Sequence, residues 1–300
     1  MPIHLPACNR RQFLVTLGAG AVAYSLPAFG RQDQVDRALI YLVNDTHIGE
    51  KHAPDSPVPT HLRQVVEELV GLQRKPACVI VNGDLALRDG QAGDYRHFAE
   101  LIKPLREAGI DVHLTMGNHD DREVFYRTLK AERPDAAITS RHVSIVETPF
   151  ANLFLLDSLL KTMVVQGSLG EQQRFWLAKS LDERSTKPAI IVAHHNPRLG
   201  GDPKHFPGGL VDSDELWAIL AQRHQVKAYV HGHVHDRSFA EHQGIHIVNT
   251  PATSYVADSR TSTTGWTTVA LSVEGAVLTT RTNDPQHPWN GQQRTLVWRS

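Results

Sequence analysis

Cysteine is almost missing from this chain: of 300 residues only Cys8 and Cys78 carry a thiol, and Cys78 stands inside an apolar run. No disulfide framework can be built from that, so stability has to come from a buried core or from bound metal. Blocks of basic residues are missing too, and 31 Lys+Arg against 32 Asp+Glu leave a net charge of −1. That balance excludes recognition of a nucleic-acid polymer through bulk electrostatics. There is no apolar run long enough for a stable membrane span, no internal repeat and no linker-like stretch. What is present is an ordinary globular composition, with 41% hydrophobic residues to fill a sizeable core.

The first thirty residues read as something other than the fold. Arg10-Arg11-Gln12-Phe13-Leu14 is followed by a short Ala- and Gly-rich stretch to Phe29, and Ala28-Phe29-Gly30 offers small residues for cleavage. Paired arginines before a short apolar run resemble a twin-arginine export signal over residues 1–30. The expected location is therefore periplasmic or extracellular, with no stable membrane anchor once the signal is cleaved. No Cys follows the apolar run, which argues against a lipid anchor. Gly18-x-Gly20-x-x-Ala23 matches a dinucleotide-binding pattern but follows arginines instead of a strand, so it is discarded.

From Ala38 onward apolar runs alternate with helical stripes. Ala38–Val43, Ala77–Val81 and Ile110–Met116 read as strands. Between them lie a helix with Leu62, Val65, Val66, Leu69 and Val70 on one stripe, capped by Thr60, and a helix from about Gly93 to Ala108. Asp121–Lys130, Glu171–Leu181 and Asp212–Arg223 read as further helices, and Pro188–Ala193 and Val226–Val230 as strands. Arg141–Glu147, Asn152–Leu156, Ile245–Asn249, Trp266–Val273 and Ala276–Thr280 look like members of antiparallel sheets. The tail after Asn283 has no clear period. The predicted fold is one α/β (α+β) domain over residues 38–283, two packed mixed sheets flanked by helices in four layers, with 284–300 as a C-terminal tail.

Five of these strands end in metal-ligand residue types: Asp45-x-His47, Gly83-Asp84, Gly117-Asn118-His119-Asp120, His194-His195 and Gly232-His233-x-His235. One such block reads as a surface turn; five in order, each at the same end of an apolar strand, do not. Imidazole with carboxylate suits Zn, Fe, Mn and similar ions. Two ions a few ångströms apart need a bridging group, and the Asp84 carboxylate is the natural candidate. Glycine before Asp84, Asn118 and His233 lets the backbone pass close to the ions. Such a pair lowers the pKa of a shared water and clamps both the attacking and the leaving oxygen of an in-line displacement at phosphorus.

This pattern resembles the calcineurin-like metallophosphoesterase superfamily over roughly Leu39–Arg281. Asn44-Asp45-Thr46-His47, Gly83-Asp84-Leu85-Ala86, His194-His195-Asn196-Pro197 and Asn249-Thr250-Pro251-Ala252-Thr253 are most similar to its bacterial cyclic-nucleotide and glycerophosphodiester phosphodiesterases. The resemblance implies two transition-metal ions of Fe, Mn, Zn or Co type. It places Asp45, His47 and His235 on the first, Asn118, His194 and His233 on the second, and Asp84 between them. It implies His119 as a general acid facing the leaving oxygen, Asp120 as the residue orienting that imidazole, and a metal-bound hydroxide as nucleophile. Asn196 departs from the pattern, and His195 is expected behind the ligands.

The expected function is hydrolysis of small phosphodiesters: a glycerophosphodiester, a nucleotide diester or a cyclic nucleotide. A phosphomonoesterase is the alternative, and an inactive metal-stabilised binding protein is a third reading. The loops Leu199–Gly209 and Thr253–Gly265 are expected to set the substrate.

Overall fold

The structure is a computed structural model that describes residues 35–53, 55–132, 138–199 and 208–300, which belong to one compact unit, Val35–Ser300. The export signal read over residues 1–30 lies outside the described residues, as does most of the Leu199–Gly209 loop.

Two six-stranded sheets form the centre. The first has β1 (Val35–Asn44), β2 (Lys75–Asn82) and β3 (Val112–Thr115) in parallel, extended by antiparallel β10 (Gly265–Leu271), β11 (Gly275–Thr282) and β12 (Gln293–Val297), in the order β12-β11-β10-β1-β2-β3. The second is ordered β4-β5-β6-β7-β9-β8, from β4 (Ser144–Glu147), β5 (Asn152–Leu155), β6 (Ala189–Val192), β7 (Val226–His231), β8 (Ser238–His242) and β9 (Ile245–Asn249). β5, β6, β7 and β9 run parallel.

Strand alternation sorts the apolar residues into layers. From β1, Ile40 and Leu42 join Ile80, Leu153, Ile190, Val192 and Val230 in a core between the sheets. Tyr41 and Val43 point the other way, against α1 (Pro57–Gly71) and α2 (Ala92–Glu107) through Leu62, Val65, Leu69, Tyr95 and Phe98. On the far side Phe154, Ile191 and Tyr229 meet α4 (Gly170–Glu183) and α5 (Ser213–Ala221) through Leu177, Leu181, Leu216 and Leu220. The four layers expected from sequence are present.

Several boundaries differ from expectation. Helix α1 begins at Pro57, a turn before Thr60, and the hydroxyl of its Ser56 cap meets His52 Nδ1 at 3.1 Å instead of a helix amide. Prolines 57 and 59 preset the helical φ at positions whose N–H has no helical acceptor, so no capping hydroxyl is needed. Val70 is exposed and falls off the apolar stripe. The short helix α3 (Arg122–Thr128) is capped by Asp121, which accepts from Val124 N at 2.9 Å. The segment expected as a tail after Asn283 carries β12, whose register on β11 runs from Gly275 opposite Val297 to Thr279 opposite Gln293.

Candidate metal centre

All five ligand-bearing blocks lie at the C-terminal ends of parallel strands, β1, β2 and β3 in one sheet and β6 and β7 in the other. Crevices beyond such ends are where α/β sheets present side chains to a ligand. Two buried asparagines join the sheets there. Asn82 donates from Nδ2 to the Ala193 carbonyl at 3.1 Å and accepts from Thr115 Oγ1 at 2.8 Å, and Asn44 donates to the Thr250 carbonyl at 3.1 Å. Their signal in the sequence is only their place before Asp45 and Gly83.

The seven candidate ligands Asp45, His47, Asp84, Asn118, His194, His233 and His235 are all buried. The ligand atoms of Asp45, His47, Asp84 and His235 lie within 4.8 Å of one another, and so do those of His194, His195 and His233. His195, placed behind the ligands by the sequence reading, is thus beside the second set, with Nδ1 bonded to Ser158 Oγ at 2.8 Å.

The donor chemistry fits cations. His47 Nδ1 meets the Leu87 carbonyl at 3.2 Å, His194 Nδ1 the Asn82 carbonyl at 3.0 Å, and His235 Nδ1 the Tyr255 carbonyl at 2.7 Å. A carbonyl only accepts, so each Nδ1 carries a proton and each Nε2 is the atom turned inward to take a metal. Those nitrogens converge on one another and on carboxylates: His47 Nε2 lies 3.1 Å from His235 Nε2, and His235 Nε2 lies 3.3 Å from Asp45 Oδ1. Asn118 Oδ1 is buried with no hydrogen-bond partner, as a ligand oxygen directed at a metal would be.

Asp84 stands between the two sets. Its Oδ2 is 3.5 Å from His47 Nε2 and 3.2 Å from His194 Nε2, while its Oδ1 accepts from the His119 amide at 2.8 Å. One carboxylate oxygen facing an imidazole of each set suits a bridge. Burial alone would raise the Asp84 carboxyl, yet His194 and His47 hold it well below the usual carboxylate range. Asp45 is likewise lowered, the pull of His235 and His194 overcoming burial. Burial opposes charge on His194 as well, but Asp84 and Asp45 raise it to about 9. His47, where burial dominates, falls to about 4. The carboxylates stay ionised, and the site demands positive charge.

The backbone is strained to hold this arrangement. Asp45, His47, Asp84, His233 and His235 have φ of 50°, 46°, 49°, 68° and 54°, and only Met163 and Gln243 join them among described non-glycine residues with positive φ. Such conformations cost of order 1 kcal/mol or more each and persist where the surroundings over-determine them. Two glycines leave room. A Cβ on Gly117 would come within 2.1 Å of Asp84 Oδ1, and one on Gly232 within 2.4 Å of Asp45 Oδ2.

His119 is beside the centre, its ring centroid 5.0 Å from that of His47. Its Nδ1 donates to the Arg88 carbonyl at 2.6 Å, which leaves Nε2 for a substrate. Asp120 does not orient His119, contrary to the sequence expectation. Its carboxylate accepts instead from the amides of Gly117 at 2.9 Å and of Leu85 and Ala86 at 3.1 Å, and from the Tyr95 hydroxyl at 3.3 Å. It ties the Asp84 loop to the Asn118 turn because those amides point inward where water cannot reach them. Burial and the nearby Asp84 charge push its carboxyl up to about 7 against the pull of these amides. Tyr255 also faces the centre, its ring 4.3 Å from His235 and 5.0 Å from His47 between centroids. Sequence reasoning named its loop but not this residue, a lone tyrosine in a Ser/Thr-rich stretch.

Two packed sheets whose strand ends bring buried His, Asp and Asn ligands into two adjoining sets define a metal-dependent phosphoesterase fold. The profile of the calcineurin-like phosphoesterase family matches residues 38–237, and the chain belongs to that family of phosphoric ester hydrolases. It is 29% identical over 256 residues to the 3′,5′-cyclic adenosine monophosphate phosphodiesterase CpdA of Escherichia coli K12, covering 81% of this chain and 88% of CpdA. It is 26% identical over 190 residues to the glycerophosphodiester phosphodiesterase GpdQ of Enterobacter lignolyticus, covering 63% of this chain and 66% of GpdQ. Among solved structures, a dimetal phosphatase from Danio rerio superposes with a TM-score of 0.65 at 15% identity, over 87% of this chain and 99% of that one. That likeness is one of fold.

Proposed function

We propose that this chain is an exported phosphodiesterase with two transition-metal ions, acting on small phosphodiesters such as nucleotide or glycerol diesters. The observation that carries the reading is the Asp84 Oδ2 atom, directed at an imidazole of each ligand set, 3.5 Å from His47 and 3.2 Å from His194. Asp45, His47, His235 and Asp84 would hold one ion, and Asp84, Asn118, His194 and His233 the other. When bound, the ions supply an acidified water and positive charge for the phosphoryl oxygens. His119, its Nδ1 proton committed to Arg88, holds Nε2 where it can deliver a proton to the departing alkoxide. Similarity to cyclic-nucleotide and glycerophosphodiester phosphodiesterases supports the diester over the monoester.

The test compares bis(4-nitrophenyl) phosphate with 4-nitrophenyl phosphate, using purified protein resupplied with Mn, Zn, Fe or Co. Faster turnover of the diester is expected. Preference for the monoester would make the protein a phosphomonoesterase, and no turnover of either would leave a metal-binding protein. Export through residues 1–30 is tested separately: Arg10→Lys with Arg11→Lys should keep the protein in the cytoplasm.

A further inference from the structure

We propose that Tyr255 sets substrate specificity, its ring serving as a stacking platform for an aromatic group on the diester, so that nucleoside phosphodiesters are taken in preference to glycerophosphodiesters. This rests on the phosphodiesterase reading above and names the substrate class within it.

Tyr255 combines a fixed position with a free surface. Its ring lies over the imidazole of His235 at 4.3 Å and beside that of His47 at 5.0 Å, yet the residue remains 46% exposed. The ligand histidines take up part of the ring's surroundings, and nearly half of the residue is open to solvent. The segment carrying it is pinned to the centre by the main chain. Thr253 N donates to the Asn44 carbonyl at 2.9 Å, Ser254 N to the Asp45 carbonyl at 3.2 Å, and the Tyr255 carbonyl accepts from His235 Nδ1 at 2.7 Å. His61 Nδ1 adds a bond to the Ser254 carbonyl at 2.9 Å. An aromatic ring already held in place loses little freedom when a ligand stacks on it.

The position suits a diester. His47 is flanked by His119 and by Tyr255, each with its centroid 5.0 Å from the His47 ring. A phosphorus held at the ligand sets with its leaving oxygen at His119 would have its other substituent within reach of Tyr255. A nucleobase offers a π face to that ring, and a glycerol offers none. Loss of one base–aromatic stack by alanine substitution weakens binding roughly ten- to hundredfold.

The experiment measures steady-state kinetics of the metal-reconstituted wild type, Tyr255→Phe, Tyr255→Leu and Tyr255→Ala on 3′,5′-cyclic AMP and on glycerophosphoethanolamine, with bound metal measured in each. The wild type is expected to have the higher kcat/KM on the nucleotide. Tyr255→Phe should keep that preference. Tyr255→Leu, which keeps apolar cover over the histidines without a π face, and Tyr255→Ala should raise KM for the nucleotide about ten- to hundredfold. Their losses on the glycerol diester should be much smaller, and Tyr255→Leu should keep its bound metal. Equal losses on both substrates, or loss of metal from Tyr255→Leu, would overturn the inference and make the ring a cover for the ligands. If the wild type turned over neither diester, the phosphodiesterase reading would fall and the stacking role with it; if it turned over both while the substitutions moved both alike, only the stacking role would fall.

Discussion

His119 and Asp84 are joined by a single hydrogen bond, from the His119 amide to Asp84 Oδ1 at 2.8 Å, but their side chains have different tasks. Asp84→Ala removes the oxygen that faces both ligand sets, so metal and activity should be lost together. His119→Ala should keep the metal and lose about 10²–10⁴-fold in kcat, as a positioned acid does. Metal analysis beside kinetics separates the two; metal loss in His119→Ala would contradict the role given to that residue. Asp120 follows a third pattern. Because it accepts from the amides of Gly117, Leu85 and Ala86, Asp120→Asn turns an amide donor toward other donors. It should cost about 1–3 kcal/mol of stability and loosen metal binding. An orienter of His119 would instead lose turnover at full metal loading. The ligand types at strand ends were legible in the sequence because each block is local. The partners of Asp120 were not, since nothing in the sequence pairs it with amides more than thirty positions away.

At the scale of elements, the centre depends on how the ends of β2 and β6 meet. Asn82 spans that gap with its bond to Ala193 and is itself held by a bond from Thr115 of β3. Asn82→Ala leaves buried polar groups without partners, and a denaturant midpoint should report a loss of about 1–3 kcal/mol. The backbone carbonyl that fixes the His194 ring through Nδ1 survives the substitution, so bound metal should weaken only as far as the end of β2 shifts. Central strands such as β1 and β2 were readable from their apolar runs, which are buried through their C-terminal halves. The edge strands β12 and β8 were not. β12 buries only Leu296, and β8 buries none of its five residues, so neither carries the alternation that betrays a half-buried strand. Similarly, α1 was found by its stripe but begun too late, because prolines replaced the capping signal.

The whole molecule couples metal binding to protons. Burial disfavours charge on His194, but Asp84 and Asp45 outweigh it and hold the imidazole proton up to about 9. An ion at Nε2 has to displace that proton, whereas the lowered carboxylates of Asp45 and Asp84 have none to give near neutrality. Apparent metal affinity should therefore fall as pH drops below about 9, by roughly tenfold per pH unit for the His194 proton and more steeply once His235, raised by Asp45, binds its own. Calorimetric titration at pH 7 in buffers of different ionisation enthalpy should show release of about one proton from His194 together with a share from His235, which Asp45 also raises, and no release would contradict this assignment.

That two ions share one carboxylate is the claim on which the rest depends. Chelator-treated protein should be titrated with Mn²⁺ while hydrolysis of bis(4-nitrophenyl) phosphate is followed. Activity is expected to rise until two equivalents per chain are bound and then to level off. Full activity at one equivalent, or activity independent of added metal, would contradict a centre in which Asp84 joins two ligand sets.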